Sequence, residues 1–303
     1  MWDRGSAPAR PPSSTPRLGE LLTGMLCEMS DRGGSDSAGV AVYGDPRWSP
    51  PGGKGTVSVL DVDDSPDQMA EALHAALGEV SVHRVDETLL VSADVAAETL
   101  HAAITAHYPH ALIAGGFGAN VAVLKGVGHP KALTEAWGGL AHAQGWQGGV
   151  GHTRMATESA VIPAGAHPYA VGPDQCLVHN GSFANHATIR RDLRARSVVF
   201  DSENDTEVGA RFVADQLARG GRDVETALKE LCATFDGFYT LLVSNHDSFA
   251  VVRDAIACKP AVIAETDEWV AMGSEYRALA GLPGVEKAVI WEPEPEVVYA
   301  WTR

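Results

Sequence analysis

A chain of 303 residues, 45% hydrophobic and 20% charged, can hold one large domain or two ordinary ones around a substantial core. A formal net charge of −16 argues against nucleic acid, because counterion release needs a basic surface. No apolar run is long enough to span a bilayer and no charged-then-apolar leader opens the sequence, so a cytosolic protein without membrane partners is expected.

Residues 1–16, MWDRGSAPARPPSSTP, carry no apolar periodicity and read as a disordered tail. From Arg17 the pattern changes. Leu18, Leu21, Leu22, Met25, Leu26 and Met29 recur at helical spacing, which predicts an amphipathic helix over 17–30. Gly33-Gly34 stops it, and Gly39–Tyr43 makes a strand that ends in the turn formers of 44–51. The segment 55–150 reads as a strand (56–62), a helix, a strand (88–92), a second helix and a Gly-broken strand near 112–125. Ser65 caps the first helix, with Met69, Leu73 and Leu77 on its inner face. Asp94 caps the second, with Leu100 and Ile104 inside. Gly115-Gly116-Phe117-Gly118 lacks both the Lys-Ser/Thr of a P-loop and the strand–glycine turn–helix order of a dinucleotide site, and is read as a turn or bulge. This segment is expected to be an α/β insertion, at about 55–150, in a domain spanning 17–303.

Cys176-Leu177-Val178 is a short apolar run expected to form a buried strand that delivers Asn180-Gly181 to its own end. Helices follow from Asn185, from Glu203 and over 223–234. A hairpin, Phe238–Ser244 with Phe249–Arg253, comes next, then strands at 261–265, 269–273, 288–292 and 297–301 with a short helix from Ser274. Strands in hairpins with helices grouped between them argue for an α+β fold of two sheets covered by helices rather than a parallel βαβ series. Cys27, Cys176, Cys232 and Cys258 are scattered without metal-type pairs, and Cys27 and Cys176 read as reduced and buried.

At a strand end, the Asn180 amide and the Gly181 backbone N–H can both point into a cleft. Arg154 and Asp205 bring opposite fixed charges to it. Two donors flanked by a cation and an anion suit a free amino acid attacked at its side chain: the donors hold the oxyanion, the guanidinium forks the α-carboxylate, and the carboxylate takes the α-ammonium. Each residue also has a plainer role. Asn180-Gly181 is a favoured two-residue hairpin turn, Arg154 a surface ion-pair partner, and Asp205 a residue of a helix N-terminus. His152, His167 and His179 share no helical face and read as structural rather than metal ligands, so no metal and no cofactor is expected.

Taken in order, GHTRMAT, HP, CLVHNG and NDTEV resemble the glutaminase domain of class II glutamine amidotransferases, an N-terminal-nucleophile hydrolase fold. Within that family the chain is most similar to stand-alone subunits related to glutamate synthase and N-methylglutamate synthase. Asp31–Gly39 matches the family's Arg-Gly-x-Asp-Ser-Ala-Gly element with one extra residue. The resemblance covers about residues 17–44 and 150 onward. It implies a four-layer αββα sandwich and hydrolysis of glutamine to glutamate and ammonia. The ammonia would go to a synthase subunit, because this sequence holds no acceptor domain, flavin site or iron–sulfur cysteine set. By that resemblance Asn180 and Gly181 form the oxyanion hole, while Arg154, Thr157 and Asp205 bind glutamine. Arg32, with the turn at Asp36, braces the nucleophile end. The family's nucleophile is an N-terminal cysteine followed by Gly-Ile, whose α-amine serves as the base. Cys-Gly-Ile is absent here, so the chain as written is expected to be inactive. Two accounts stay open: a true start that carries the cysteine ahead of Arg17, or a glutamine-binding or assembly subunit without a nucleophile.

Overall fold

Leu22 and Leu26 lie one turn apart and are buried on the inner face of helix α1 (Leu18–Met29), whose first turn is held by Arg17 N–H donating to Glu20 at 3.2 Å. The computed structural model describes residues 17–31, 34, 36–49, 55–148, 152–154, 161–220 and 222–303, with backbone alone at 116–117, 147–148 and 152–154. Strand β1 (Ser37–Tyr43) is buried at every position. Its alternation explains this: Val40 and Val42 pack toward α1, while Ala41 and Tyr43 pack toward a second sheet.

The next segment makes a four-stranded antiparallel sheet with its own core. It comprises β2 (Gly55–Leu60), helix α2 (Pro66–Leu77), β3 (Val80–Val85), β4 (Thr88–Ala93), α3 (Ala97–His107) and β5 (Leu112–Gly118), with strand order β3-β4-β2-β5. Met69 and Leu73 of α2 and Leu100 and Ile104 of α3 are buried on it. Ser65 caps α2 as expected, its hydroxyl accepting from Gln68 N–H at 3.3 Å. Asp94 does not cap α3; the cap residue is Ala96, with no side-chain bond. Strand β3 was not expected, because His83 and Arg84 dilute an edge strand whose residues are all half-buried or exposed.

The single Gly-broken strand expected near 112–125 is two strands, β5 and β6 (Val121–Val127). Their connection is pinned from outside by Asp174, whose carboxylate accepts from Asn120 N–H at 2.8 Å and Val121 N–H at 3.1 Å. Beyond this turn the chain rejoins the first sheet. Strand β6 pairs with β1 along its whole length, and α4 (Pro130–Ala136) buries Leu133 and neighbouring Trp137 against α1. Strands β7 (Gln147–Gly148) and β8 (His152–Arg154) also pair with β1. The four-stranded sheet with its own apolar cluster therefore takes in β2 to β5 and stops at Gly118.

Strands β9 (Tyr169–Gly172) and β10 (Gln175–Phe183) precede helices α5 (His186–Arg194), α6 (Asp205–Ala218) and α7 (Val224–Thr234). The hairpin β11 (Gly237–Ser244) and β12 (Ser248–Arg253) follows. Then come β13 (Val262–Glu265), β14 (Val270–Gly273), helix α8 (Tyr276–Leu279), β15 (Val289–Trp291) and β16 (Tyr299–Thr302). An antiparallel five-stranded sheet, β16-β12-β11-β10-β9, faces the sheet of β1. Strands β13–β15 form a small sheet packed with α8 and the Leu21 and Met25 side of α1.

Three apolar layers follow from this order. One lies between α1/α4 and the first sheet, one between the sheets, and the largest between the five-stranded sheet and α5–α7. This is the αββα sandwich, held together by area burial, with the Tyr43 hydroxyl bonded to the Ser244 hydroxyl at 2.9 Å across the inter-sheet layer. No helix among the described residues is long and apolar enough to cross a membrane.

Candidate functional site

Strand β10 does not end at Asn180-Gly181. It stays in register with β11 to Phe183, pairing Asn180 with Thr240 and Gly181 with Tyr239, so the pair is neither a strand end nor a hairpin turn. Alternation fixes the side-chain directions. Cys176 and Val178 face the first sheet, Leu177 and Phe183 face the helices, and Asn180 therefore shares the inter-sheet face. Asn180 is half-buried, and among the described residues its amide has no hydrogen-bond partner.

The Gly181 N–H is directed by its neighbour. Tyr239 uses its N–H to donate to Asp254 Oδ1 at 2.8 Å and its carbonyl to accept from Asp254 N–H at 3.0 Å. Opposite it, Gly181 is thus in a non-hydrogen-bonded pair, and its N–H points to the other edge of β10. Strand β9 covers that edge only at Gln175 and Leu177. Two residues on, Phe183 N–H occupies the same edge and donates to Asp205 Oδ2 at 2.9 Å. Only glycine fits at 181: its φ is +143°, and an added Cβ would stand 2.0 Å from the Phe238 carbonyl oxygen.

Asp205 is the first residue of α6, not its cap. Asn204 caps the helix, accepting from Thr206 N–H at 2.8 Å, which leaves the Asp205 carboxylate to reach across to β10. Among the described residues its Oδ1 has only a 3.5 Å contact from Thr206. The Thr206 hydroxyl in turn lies 3.2 Å from His167 Nε2 and 3.0 Å from His179 Nδ1. A hydroxyl has one proton to give, so it donates to one ring and accepts from the other. Among the described residues His179 Nε2 is buried without a hydrogen-bond partner. Burial holds His179 down to about 4, against the pull of Asp205 and with a smaller downward push from Lys259.

His167 also ties the first sheet to this cluster. Its carbonyl oxygen stands 2.0 Å from where a Cβ on Gly39 would be, so the Asp36-Ser37-Ala38-Gly39 run needs glycine for close backbone approach. Strand β8 sets Arg154 opposite Ser37, two residues from Gly39, while Ser37 Oγ is buried on the inter-sheet face with no partner among the described residues. The Arg154 side chain, Arg32 and Thr157 lie outside the described residues. Asp36 stands immediately before β1, and its carbonyl accepts from Gly128 N–H at 2.8 Å.

One neighbouring group escapes sequence reading. Arg253 donates to the carbonyls of Pro293 (3.2 Å) and Ala257, and Asp254 accepts from Ile256 N–H at 2.7 Å. These bonds fold 254–260 back so that the Lys259 carbonyl accepts from Thr240 hydroxyl at 2.9 Å, and Thr240 is the partner of Asn180. The Lys259 ammonium lies 5.4 Å above the Phe238 ring. No periodicity or short motif signals that placement; it depends on a buried arginine bonding carbonyls far along the chain.

Of the cysteines, Cys176 is buried, with its thiol pushed by burial up to about 12. Cys27 and Cys232 are half-buried, so the expectation for Cys27 holds only in part, and Cys258 is exposed.

Residues 152–281 match a family model described as a glutamine amidotransferase domain. Over 292 residues the chain is 44% identical to the glutamine amidotransferase-like protein GlxB of Rhizobium meliloti strain 1021, covering 94% of this chain and 93% of that one. The chain belongs to the glutamine amidotransferase family. A shorter match, 34% over 134 residues, is to the glutamine–fructose-6-phosphate aminotransferase of Zymomonas mobilis, and covers 44% of this chain and 22% of that one. Among solved structures, glutamine phosphoribosylpyrophosphate amidotransferase from B. subtilis superposes with a TM-score of 0.57 at 16% identity, over 95% of this chain and 47% of that one. That likeness carries the fold.

Proposed function

We propose that this amidotransferase chain binds free glutamine at the β10 edge and belongs to an enzyme that hydrolyses it to glutamate and ammonia. The observation that carries the reading is the pairing of an unbonded amide and an outward N–H, Asn180 and Gly181, with Asp205 held two residues along the same edge. In this reading the amide and N–H hold the oxyanion when the side-chain carbonyl of glutamine is attacked, an effect worth about 10²–10³ in rate per donor. Asp205 Oδ1 takes the α-ammonium. Arg154 forks the α-carboxylate, which makes lysine a poor substitute, and Thr157 lines the same pocket. Arg32 and Asp36 brace the start of β1. The thiol that attacks, and the α-amine that takes its proton, belong to an N-terminal cysteine that this sequence does not contain. Ammonia then passes to a cytosolic synthase subunit of the glutamate synthase or N-methylglutamate synthase kind.

A second reading is a glutamine-binding or assembly subunit without catalysis. Calorimetric titration with glutamine and an ammonia assay separate the two, run on the chain as written and on Met-Cys-Gly-Ile joined to Arg17. Binding by both with ammonia release only by the second form supports the hydrolase. Binding by both with no release supports the silent subunit. No glutamine binding by either would overturn the site.

A further inference from the structure

Arg190 lies on the inner face of α5, 5% exposed, between Ile189 and Leu193 of the apolar core. A buried guanidinium needs partners, and its neighbouring acid is a weak one: Glu203 is 3.6 Å away with a side chain 85% exposed. The short contacts are to main-chain carbonyls. Nη1 donates to the Ser202 carbonyl at 2.6 Å and Nη2 to the Asn204 carbonyl at 2.9 Å, while the guanidinium lies 4.6 Å over the Phe200 ring. The same turn is gripped from its other side by Glu207, 1% exposed, which accepts from the Asp201 N–H at 2.9 Å, the Ser202 N–H at 2.8 Å and the Ser202 hydroxyl at 2.7 Å. Neither α5 nor α6 covers residues 195–204, so these bonds, rather than a helical ladder, fix the turn.

A cation beside the first turn of a helix opposes the macrodipole, so α6 itself gains nothing from the Arg190 charge. What the guanidinium fixes is the residue that follows. Asn204, whose carbonyl it holds, caps α6, and Asp205 comes next with one carboxylate oxygen on the Phe183 N–H. We propose that Arg190 positions Asp205 on the β10 edge and thereby makes the site select ligands that carry an α-ammonium. This rests on the reading of Asp205 as the ammonium acceptor. Lysine is a poor replacement, because one ammonium on a flexible stem does not hold two carbonyls in a fixed plane as the guanidinium does.

The test uses the full chain with Arg190→Lys, which keeps the charge, and with Arg190→Gln, so that one variant still reports if the other does not fold. Native-state hydrogen exchange followed by NMR compares the Phe183 N–H with that of Val178, which pairs with Leu242 inside the sheet. Weakening of the Asp205 bond should speed Phe183 by about fivefold and leave Val178 unchanged, whereas a protein that is merely less stable speeds both. Calorimetry then compares glutamine with 4-carbamoylbutanoate, which is glutamine without its α-ammonium. The variants should lose about tenfold in glutamine affinity and stay within about twofold of the wild type for the analogue. An unchanged Phe183 rate overturns the proposal, and so does an equal loss for both ligands. If Phe183 responds but even the wild type binds no glutamine, Arg190 still positions the carboxylate, and it is the glutamine reading that falls.

Discussion

Asp205 and Phe183, 22 residues apart, are joined by a 2.9 Å bond from the backbone N–H of Phe183 to Asp205 Oδ2. One bond thus fixes the N-terminus of α6 against the edge of β10 and aims the second carboxylate oxygen outward. Substituting Asp205 by asparagine keeps an oxygen to accept that N–H but removes the charge. The Asn variant should melt close to the wild type while losing at least about tenfold in glutamine affinity, since a charge-assisted bond is worth about 1.5–3 kcal/mol. Asp205→Ala should lose both. Calorimetry and thermal melting check this pair, and an Asn variant that binds normally would remove Asp205 from the ligand.

Gly181→Ala meets the Phe238 carbonyl and an unfavourable φ together, so β10 must shift relative to β11. A cost of about 1–3 kcal/mol is expected from the strained backbone alone, read in urea unfolding. Asn180→Ala touches no hydrogen bond among the described residues and should leave stability within about 1 kcal/mol. The two neighbours are therefore expected to behave oppositely in folding although both belong to the proposed site.

His179 sets a pH dependence. Its folded value is about 4, below the ~6.5 of an unfolded histidine, so between these limits the unfolded chain binds more protons. Stability contributed by the neutral ring is fully present above about 6.5 and is lost as pH falls toward 4. Denaturant unfolding at pH 7 and pH 4.5 should differ by roughly 2–3 kcal/mol from this group. His179→Gln should flatten the slope; an unchanged slope would sink the assignment.

Thiol labelling should follow exposure and thiolate character. Cys258 is exposed and should react first with iodoacetamide at pH 8, whereas Cys176, buried and pushed up to about 12, should stay unlabelled until the chain unfolds. Peptide mass mapping over time reads the order. Early labelling of Cys176 would mean the inter-sheet layer opens readily.

A polypeptide beginning at Met1 as written should release no ammonia from glutamine. Its N-terminal residue is not a cysteine, Cys176 is a buried neutral thiol, and Cys27 lies in the last turn of α1, 3.5 Å from the Thr134 hydroxyl. Ammonia release by a preparation whose mass confirms that start would refute this.

Local pattern alone determined most elements of this chain. The periodic leucines of α1, the Ser65 cap, the β11–β12 hairpin and the ordered motifs around Asn180 and Asp205 are all short-range signals, because pleat, helical pitch and capping act over a few residues. Tertiary structure decided the rest. It joined β6 to β1, which no periodicity in 112–125 announces, since pairing partners 78 to 90 residues apart leave no local trace. It carried β10 past Asn180-Gly181 in register with β11, and because Asp254 takes up the polar groups of Tyr239 the Gly181 N–H points to the outer edge. It also set the Lys259 carbonyl on the hydroxyl of Thr240, the partner of Asn180, since the contacts that place a group come from whichever elements fold against it.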